Sequence, residues 1–376
     1  MADDLPTPAE FIRRELENRG LTQQDLAFAL CVPAAAVSQI ASGRRGISAE
    51  MACSLGAAFG MPAKDILGLQ KAAELQAELA KAKGPSPAVA KNAKIISTYP
   101  VRKMVKRGWI DGDRKTFDQQ LATFFDVDSV DEVPHLAHAG KKSGYSDVPP
   151  EQLAWMFRVK HIARETVVPP FSKKALRGAL PKLKAMTVEP EEARHVPRLL
   201  SECGIRFVIV ESLPGGKIDG VCFWLKNNTA PVIGMSLRFD RIDNFWFVLR
   251  HELEHVLRGD GKKSAIIDAD LDAAGDHLPP EEIAANEASL DFCVPKAEMD
   301  SWIARKTPYF SERDLVGFAR RLGVHPGLVA GQLRMRTGNF KLFSRYLAKV
   351  RFAVVQSAIV DGWGQIAPVT GTGIDR

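Results

Sequence analysis

His251-Glu252-Leu253-Glu254-His255 decides the organisation of the C-terminal half of this chain, because it is an H-E-x-x-H motif among helix-forming residues. Residues four apart lie on one face of an α-helix, about 6 Å apart along its axis. His251 and His255 are therefore predicted to direct imidazole nitrogens at one metal ion, about 2.0–2.1 Å away if the ion is zinc. Glu252 projects beside that ion, where a carboxylate can take a proton from a metal-bound water molecule.

Two histidines and a base do not complete a metal site, so a third ligand is expected downstream. Residues 281–289 are rich in glutamate and alanine and form a predicted helix, which Pro279-Pro280 opens. A carboxylate from this helix would complete a set of two histidines and one glutamate. Such a set leaves one coordination position open to water, as catalytic zinc sites require.

Short apolar segments before the motif predict a sheet beside the motif's helix. They cover residues 204–210, 220–225 and 231–235, and we expect them to pair as a small antiparallel sheet. Asp243 is the predicted N-cap of the motif's helix, and Gly259 is its predicted C-terminal stop.

Several further segments carry a resemblance to a known family. They are Phe245-Trp246-Phe247, Glu282-x-x-Ala285-Asn286, Val294-Pro295, Phe318-Ala319, Leu322-Gly323 and His325-Pro326-Gly327. Together with the motif, they resemble the zinc metallopeptidase domain of the ImmA/IrrE family, and nearly the whole chain resembles the forms in which an Xre-type domain precedes it. This resemblance implies a zincin-like domain with Zn²⁺ held by His251, His255 and Glu282, and with Glu252 as general base.

One position departs from that family's pattern. Many members carry a second glutamate two residues before the asparagine, where this chain has Ala284. If the third ligand belonged at that position, this site would lack it. Glu281 and Glu287 are then the alternative carboxylates, and Glu282 stays the first choice.

The first part of the chain is predicted to be a series of short helices. Pro8 opens the first and Gly20 ends it, while Thr22 caps the second with Asp25 in the capping-box position. A third helix is predicted over residues 34–41 and a fourth after Ser48. Two short helices joined by a tight turn are the helix-turn-helix arrangement, whose second helix enters the major groove of DNA.

The order of residues in this part resembles the Xre/Cro-like DNA-binding domain, in particular that of HigA-type antitoxins. The matching stretches are Leu21 to Ala27, Val37 to Ile40, and Gly43 to Ser48. The candidate DNA-binding residues are Gln23, Ser38, Gln39, Arg44 and Arg45. We expect a homodimer on a pseudo-palindromic operator of its own gene, with half-sites about 34 Å apart.

Three alanines leave a second interpretation of this domain open. Ala34-Ala35-Ala36 stand where base-reading side chains are often found, and alanine can contact only a thymine methyl group. A helical bundle that serves dimerisation or partner binding is the alternative.

Composition limits the classes of protein that this chain can represent. No apolar run reaches the roughly 20 residues of a membrane helix, the start is acidic and unlike a secretory signal, and the five cysteines are scattered. A cytoplasmic protein without a membrane partner is expected. The formal net charge is +6, with 20 Lys and Arg against 10 Asp and Glu in residues 81–185, so this basic middle could touch a nucleic acid or an acidic partner.

The predicted fold class is α+β, mostly α, with four segments. They are a helix-turn-helix domain (1–68), a helical linker broken by Gly84-Pro85-Ser86-Pro87 (69–95), a basic helical middle region (96–194) and the zinc metallopeptidase domain (195–376). His135, His138 and His161 of the middle region are interpreted as loop or surface histidines, and His277 and His325 as non-ligands.

Three functions remain open from the sequence. The first is a DNA-binding regulator that cleaves a repressor or another partner protein. The second is an antitoxin-type repressor that neutralises a toxin and carries a structural or sensing zinc site. The third is a DNA-binding switch with a degenerate peptidase domain.

Overall fold

The computed structural model describes residues 6–81, 87–113, 116–130, 148–262, 265–269 and 278–367. Residues Gly84 to Ser86 of the expected linker break, together with His135, His138 and His277, lie outside them. The chain divides into two compact units, residues 1–94 and 95–376. The middle region and the metallopeptidase segment both belong to the second unit.

The first unit is helical, and its helix boundaries follow the capping residues. Thr22 and Asp25 form a reciprocal capping box, with Asp25 N donating to Thr22 Oγ1 over 3.2 Å and Thr22 N donating to Asp25 Oδ2 over 2.8 Å. Gly20 ends the first helix in the left-handed conformation at φ 65°, which costs a residue without a β-carbon little. The helices are α1 (Pro8–Arg19), α2 (Gln23–Ala29), α3 (Ala34–Ala41), α4 (Ala49–Phe59), α5 (Ala63–Lys81) and α6 (Pro87–Thr98), which continues into the second unit.

One apolar cluster holds α1 to α5 together. Phe11, Leu26, Leu55 and Ile66 are at most 2% exposed and come from four different helices. Burying side chains of this size stabilises a fold by about 1.5–3 kcal/mol each. The predicted helices of this segment are confirmed.

The second unit contains eleven α-helices and five strands among its described residues. The helices are α7 (Val101–Lys106), α8 (Phe117–Phe124), α9 (Pro150–Glu165), α10 (Lys173–Ala185), α11 (Val196–Glu202), α12 (Ile242–Arg258), α13 (Pro280–Cys293), α14 (Lys296–Lys306), α15 (Glu312–Leu322), α16 (Pro326–Thr337) and α17 (Arg351–Val354). Short 3-10 helices cover Pro190–His195 and Ser344–Tyr346. The strands are β1 (Arg206–Val210), β2 (Ile218–Leu225), β3 (Ala230–Met235), β4 (Ile266–Ala269) and β5 (Ile359–Asp361). None of the described helices is long and apolar enough to span a bilayer.

The sheet is mixed, so the expectation of a purely antiparallel three-stranded sheet is wrong. Its strand order is β4-β2-β3-β1-β5, with β1 parallel to β3 and β5, and β2 antiparallel to β3 and β4. The β2–β3 hairpin turns through Lys226, Asn227 and Asn228, all at positive φ. This turn places β3 between β2 and β1, and β3 therefore runs parallel to β1.

Helices cover both faces of the sheet. Val208 and Val210 of β1 pack into the core that contains α9, whereas Phe207 and Ile209 pack into the core that contains α12. This alternation is the period of two that a strand imposes on its side chains. Because both faces are buried, every residue of β1 is buried, as its continuous apolar run had indicated.

The start of α12 differs from expectation. The helix begins at Ile242, whose N–H donates to Ala348 O over 2.9 Å. Arg241 occupies the cap position, so the prediction of Asp243 as N-cap is wrong. Gly259 ends the helix at φ 81°, as predicted.

Candidate metal centre

His251 and His255 lie on the last two turns of α12 and are both fully buried. Their Nε2 atoms are 3.0 Å apart. This proximity follows from the four-residue spacing, which brings both rings to one face of the helix. Two nitrogens on a tetrahedral zinc ion lie about 3.3 Å apart, given bonds of about 2.0–2.1 Å. The histidine pair therefore has a separation close to that of two ligands of one zinc ion.

Glu282 of α13 brings the third donor to the same point. Its Oε2 lies 3.2 Å from His251 Nε2, and its Oε1 lies 3.7 Å from His255 Nε2. The three donor atoms all lie within 4.8 Å of one another, and no other group of this kind occurs among the described residues. Two imidazoles and one carboxylate suit zinc by donor type. The alanine at position 284 does not remove the carboxylate from this cluster.

Asp260 is a site residue that the sequence reasoning missed. Its Oδ2 lies 3.2 Å from His255 Nδ1. A carboxylate accepts a proton donor, so Nδ1 carries the hydrogen and Nε2 keeps its lone pair toward the cluster. The left-handed turn at Gly259 directs the chain back, and Asp260 N donates to His255 O over 2.9 Å. An acidic residue directly after the glycine that stops the helix is the signal that could have revealed it.

Glu252 is fully buried and faces strand β2. A β-carbon added to Gly220 of that strand would lie 1.9 Å from Glu252 Oε1, which is closer than atoms can approach. The strand therefore needs glycine at this position to admit the carboxylate. The sheet thus determines where the Glu252 carboxylate sits beside the histidine pair.

Two other described histidines have structural roles. His161 of α9 packs edge-on against Phe124, with ring centroids 5.0 Å apart, and burial lowers its pKa to about 4. The interpretation of His161 as a loop or surface residue is therefore wrong. His325 Nδ1 accepts a hydrogen bond from Gly327 N over 3.0 Å and caps α16.

The candidate DNA-binding residues lie on the surface of the first unit. Gln23 at the start of α2, and Ser38 and Gln39 of α3, are exposed. Arg44 and Arg45 follow α3 directly, and their backbone N–H groups both donate to Gln39 O. Both arginine side chains are exposed, and within the described part of the chain neither forms an ion pair. They are therefore available to phosphate groups.

Comparison with known proteins identifies the first unit. Residues 12–66 match the Helix-turn-helix family model. Virulence-associated protein A' of Dichelobacter nodosus is 44% identical over 54 residues, which are 14% of this chain and 47% of that protein. The chain thus spans about half the length of this curated relative.

A solved structure described as Pseudomonas aeruginosa antitoxin HigA with higBA promoter is also similar in sequence. It shares 36% identity over 20% of this chain and 85% of its own chain, with a TM-score of 0.20. The Helix-turn-helix match ends before the residues of the metal centre. The N-terminal unit is therefore a helix-turn-helix DNA-binding domain.

Proposed function

We propose that this protein is a DNA-binding regulator whose second unit is a zinc-dependent peptidase of the ImmA/IrrE type, acting on a repressor or another partner protein. The observation that supports the peptidase most is the buried cluster of His251, His255 and Glu282, whose donor atoms lie within 4.8 Å of one another. The H-E-x-x-H spacing places Glu252 beside that cluster.

The residues of the centre have separate roles in this proposal. His251, His255 and Glu282 would hold the zinc ion, and Asp260 would keep His255 in the tautomer that binds metal. When bound, zinc supplies Lewis-acid polarisation and makes a coordinated water more acidic. Peptide hydrolysis forms one C–O bond and breaks one C–N bond. Glu252 holds the proton that water releases and passes it to the departing nitrogen.

The helix-turn-helix unit would direct the protein to its own operator. A homodimer would place two copies of α3 in successive major grooves of a pseudo-palindrome, with half-sites about 34 Å apart. An antitoxin-type repressor is the second candidate function. It would use the same DNA-binding unit, neutralise a toxin and leave the metal centre as a structural or sensing site.

Replacing His255 with alanine is expected to lower the zinc content from about one ion per chain to nearly none, because a catalytic-type site has only three protein ligands. Elemental analysis of the purified full-length chain measures this directly. His195→Ala is the matched control, since the His195 side chain is 48% exposed and belongs to no donor cluster among the described residues. Equal zinc content in all three proteins would place the metal elsewhere.

Replacing Arg44 and Arg45 with alanine is expected to weaken binding to the gene's own upstream DNA. Each lost phosphate contact should also reduce the slope of log affinity against log salt by about 1. Electrophoretic retardation over a range of salt concentrations gives both quantities. Arg14→Ala on α1 also removes an exposed arginine and should leave the slope unchanged. An unchanged slope in the Arg44/Arg45 variant would remove these residues from the DNA interface.

A further inference from the structure

A cavity of about 310 Å³ lies between α12, α13 and α16 of the second unit. Phe247 lines it, and the Phe247 ring centroid lies 6.2 Å from that of His251. His251, His255 and Glu282 themselves do not line it. Small-molecule sites in proteins occupy about 300–1,000 Å³. The cavity is therefore next to the metal centre, distinct from it, and large enough for a small organic molecule.

Most of the cavity wall is apolar. Phe247, Leu290, Leu328 and Met335 contribute carbon surface from three helices. Cys293 adds a buried thiol, and burial raises the pKa of that thiol to about 12. The Cys293 side chain is thus protonated at neutral pH and acts as a small apolar group.

The charged groups at the cavity are already paired with each other or with neighbours. Arg241 binds Asp243 through two hydrogen bonds of 3.0 and 2.7 Å. Arg336 pairs with Asp300, which lies outside the cavity lining. Because these charges are balanced, a bound molecule would gain little from carrying a charge of its own, and the cavity favours an uncharged ligand.

A buried amide oxygen supplies the specific polar group. Gln332 is 7% exposed, and its Nε2 donates to Leu290 O over 2.7 Å. This hydrogen bond fixes the orientation of the amide, since the reversed amide would face one oxygen with another. Gln332 Oε1 has no hydrogen-bond partner among the described residues, and the same holds for Asn286 Oδ1 in the same cavity. Buried acceptors normally have a donor, so the site calls for one.

We propose that this cavity binds a small uncharged molecule that has an apolar body and one hydroxyl or N–H donor, which bonds to Gln332 Oε1. Alcohols, phenols and primary amides have this chemistry. The proposal depends on the packing of α12, α13 and α16, and it stands independently of whether the metal centre hydrolyses peptides.

Benzyl alcohol and toluene form a matched pair of probes, because they share the ring and differ in the donor. In titrations of the full-length chain followed by ligand-observed NMR, we expect saturable binding of benzyl alcohol, tighter than that of toluene. Gln332→Leu should weaken benzyl alcohol binding about three- to tenfold, the usual effect of one net hydrogen bond. It should leave toluene binding equal or tighter.

Two further variants complete the test. Gln356→Leu makes the same chemical change at an exposed position outside the cavity and should leave both affinities unchanged. Met335→Trp enlarges a side chain that is 46% exposed at the cavity wall, and it should weaken both probes. No saturable binding of benzyl alcohol, which would indicate a cavity that holds water only, overturns the proposal. Equal binding of the two probes by the unmodified chain also overturns it.

Discussion

Glu252→Gln is expected to stop cleavage of the partner protein while zinc content and DNA retardation stay unchanged. A positioned general base contributes about 10²- to 10⁴-fold to rate, and glutamine cannot take up the proton. Glutamine has nearly the size of glutamate, so it fits the space that Gly220 leaves beside the side chain. The change therefore separates proton transfer from folding and from metal binding.

Protein termini in cells that express either form give an unbiased readout of this cleavage. New N-termini that occur with the unmodified chain and disappear with Glu252→Gln would identify the substrate and the cleaved bond. Glu254→Gln is the matched control. It makes the same change two residues away on α12, where Glu254 pairs with Arg250 over 2.7 Å. Identical termini with and without the Glu252 change would favour the antitoxin-type repressor, with a metal centre that does not hydrolyse peptides.

Asp361→Asn is expected to cost the largest amount of stability of any single change considered. Asp361 of β5 is fully buried, and its Oδ2 accepts from Arg158 Nε over 2.7 Å. Its Oδ1 accepts from Trp109 Nε1 over 3.0 Å and from Arg107 over 3.3 Å. Removing one partner of a buried ion pair leaves the other charge uncompensated, which costs about 3–5 kcal/mol.

Denaturant unfolding followed by tryptophan fluorescence measures this loss in the second unit alone, because all six tryptophans lie in residues 95–376. Glu202→Gln is the control. It breaks the surface pair with Arg198, whose side chains are 85% and 56% exposed for Arg198 and Glu202. Exposed pairs contribute about 0–1 kcal/mol. Similar free energies of unfolding for the two variants would show that the Asp361 network does not hold β5 in place.

Local sequence patterns predicted the elements of this protein whose causes are local. The capping box of Thr22 and Asp25, the helix-turn-helix series, and the helix that carries the H-E-x-x-H motif depend on residues a few positions apart. Their outcome needed no distant partner. The choice of Glu282 came from resemblance to a family, and Ala284 left it open. Only the packing of α13 on α12 brought the Glu282 carboxylate to the two histidines.

Contacts between distant residues decided the rest. β5 joins the sheet from far along the chain, and its Asp361 meets Arg158 across more than two hundred residues. The close approach of Gly220 to Glu252, and the cavity behind Phe247, likewise depend on how separate elements pack. No periodicity encodes such pairings, because their stability comes from burial and charge compensation that exist only after folding. The sequence by itself therefore determined the chemistry available to this protein. The tertiary structure decided which groups meet and which are held apart.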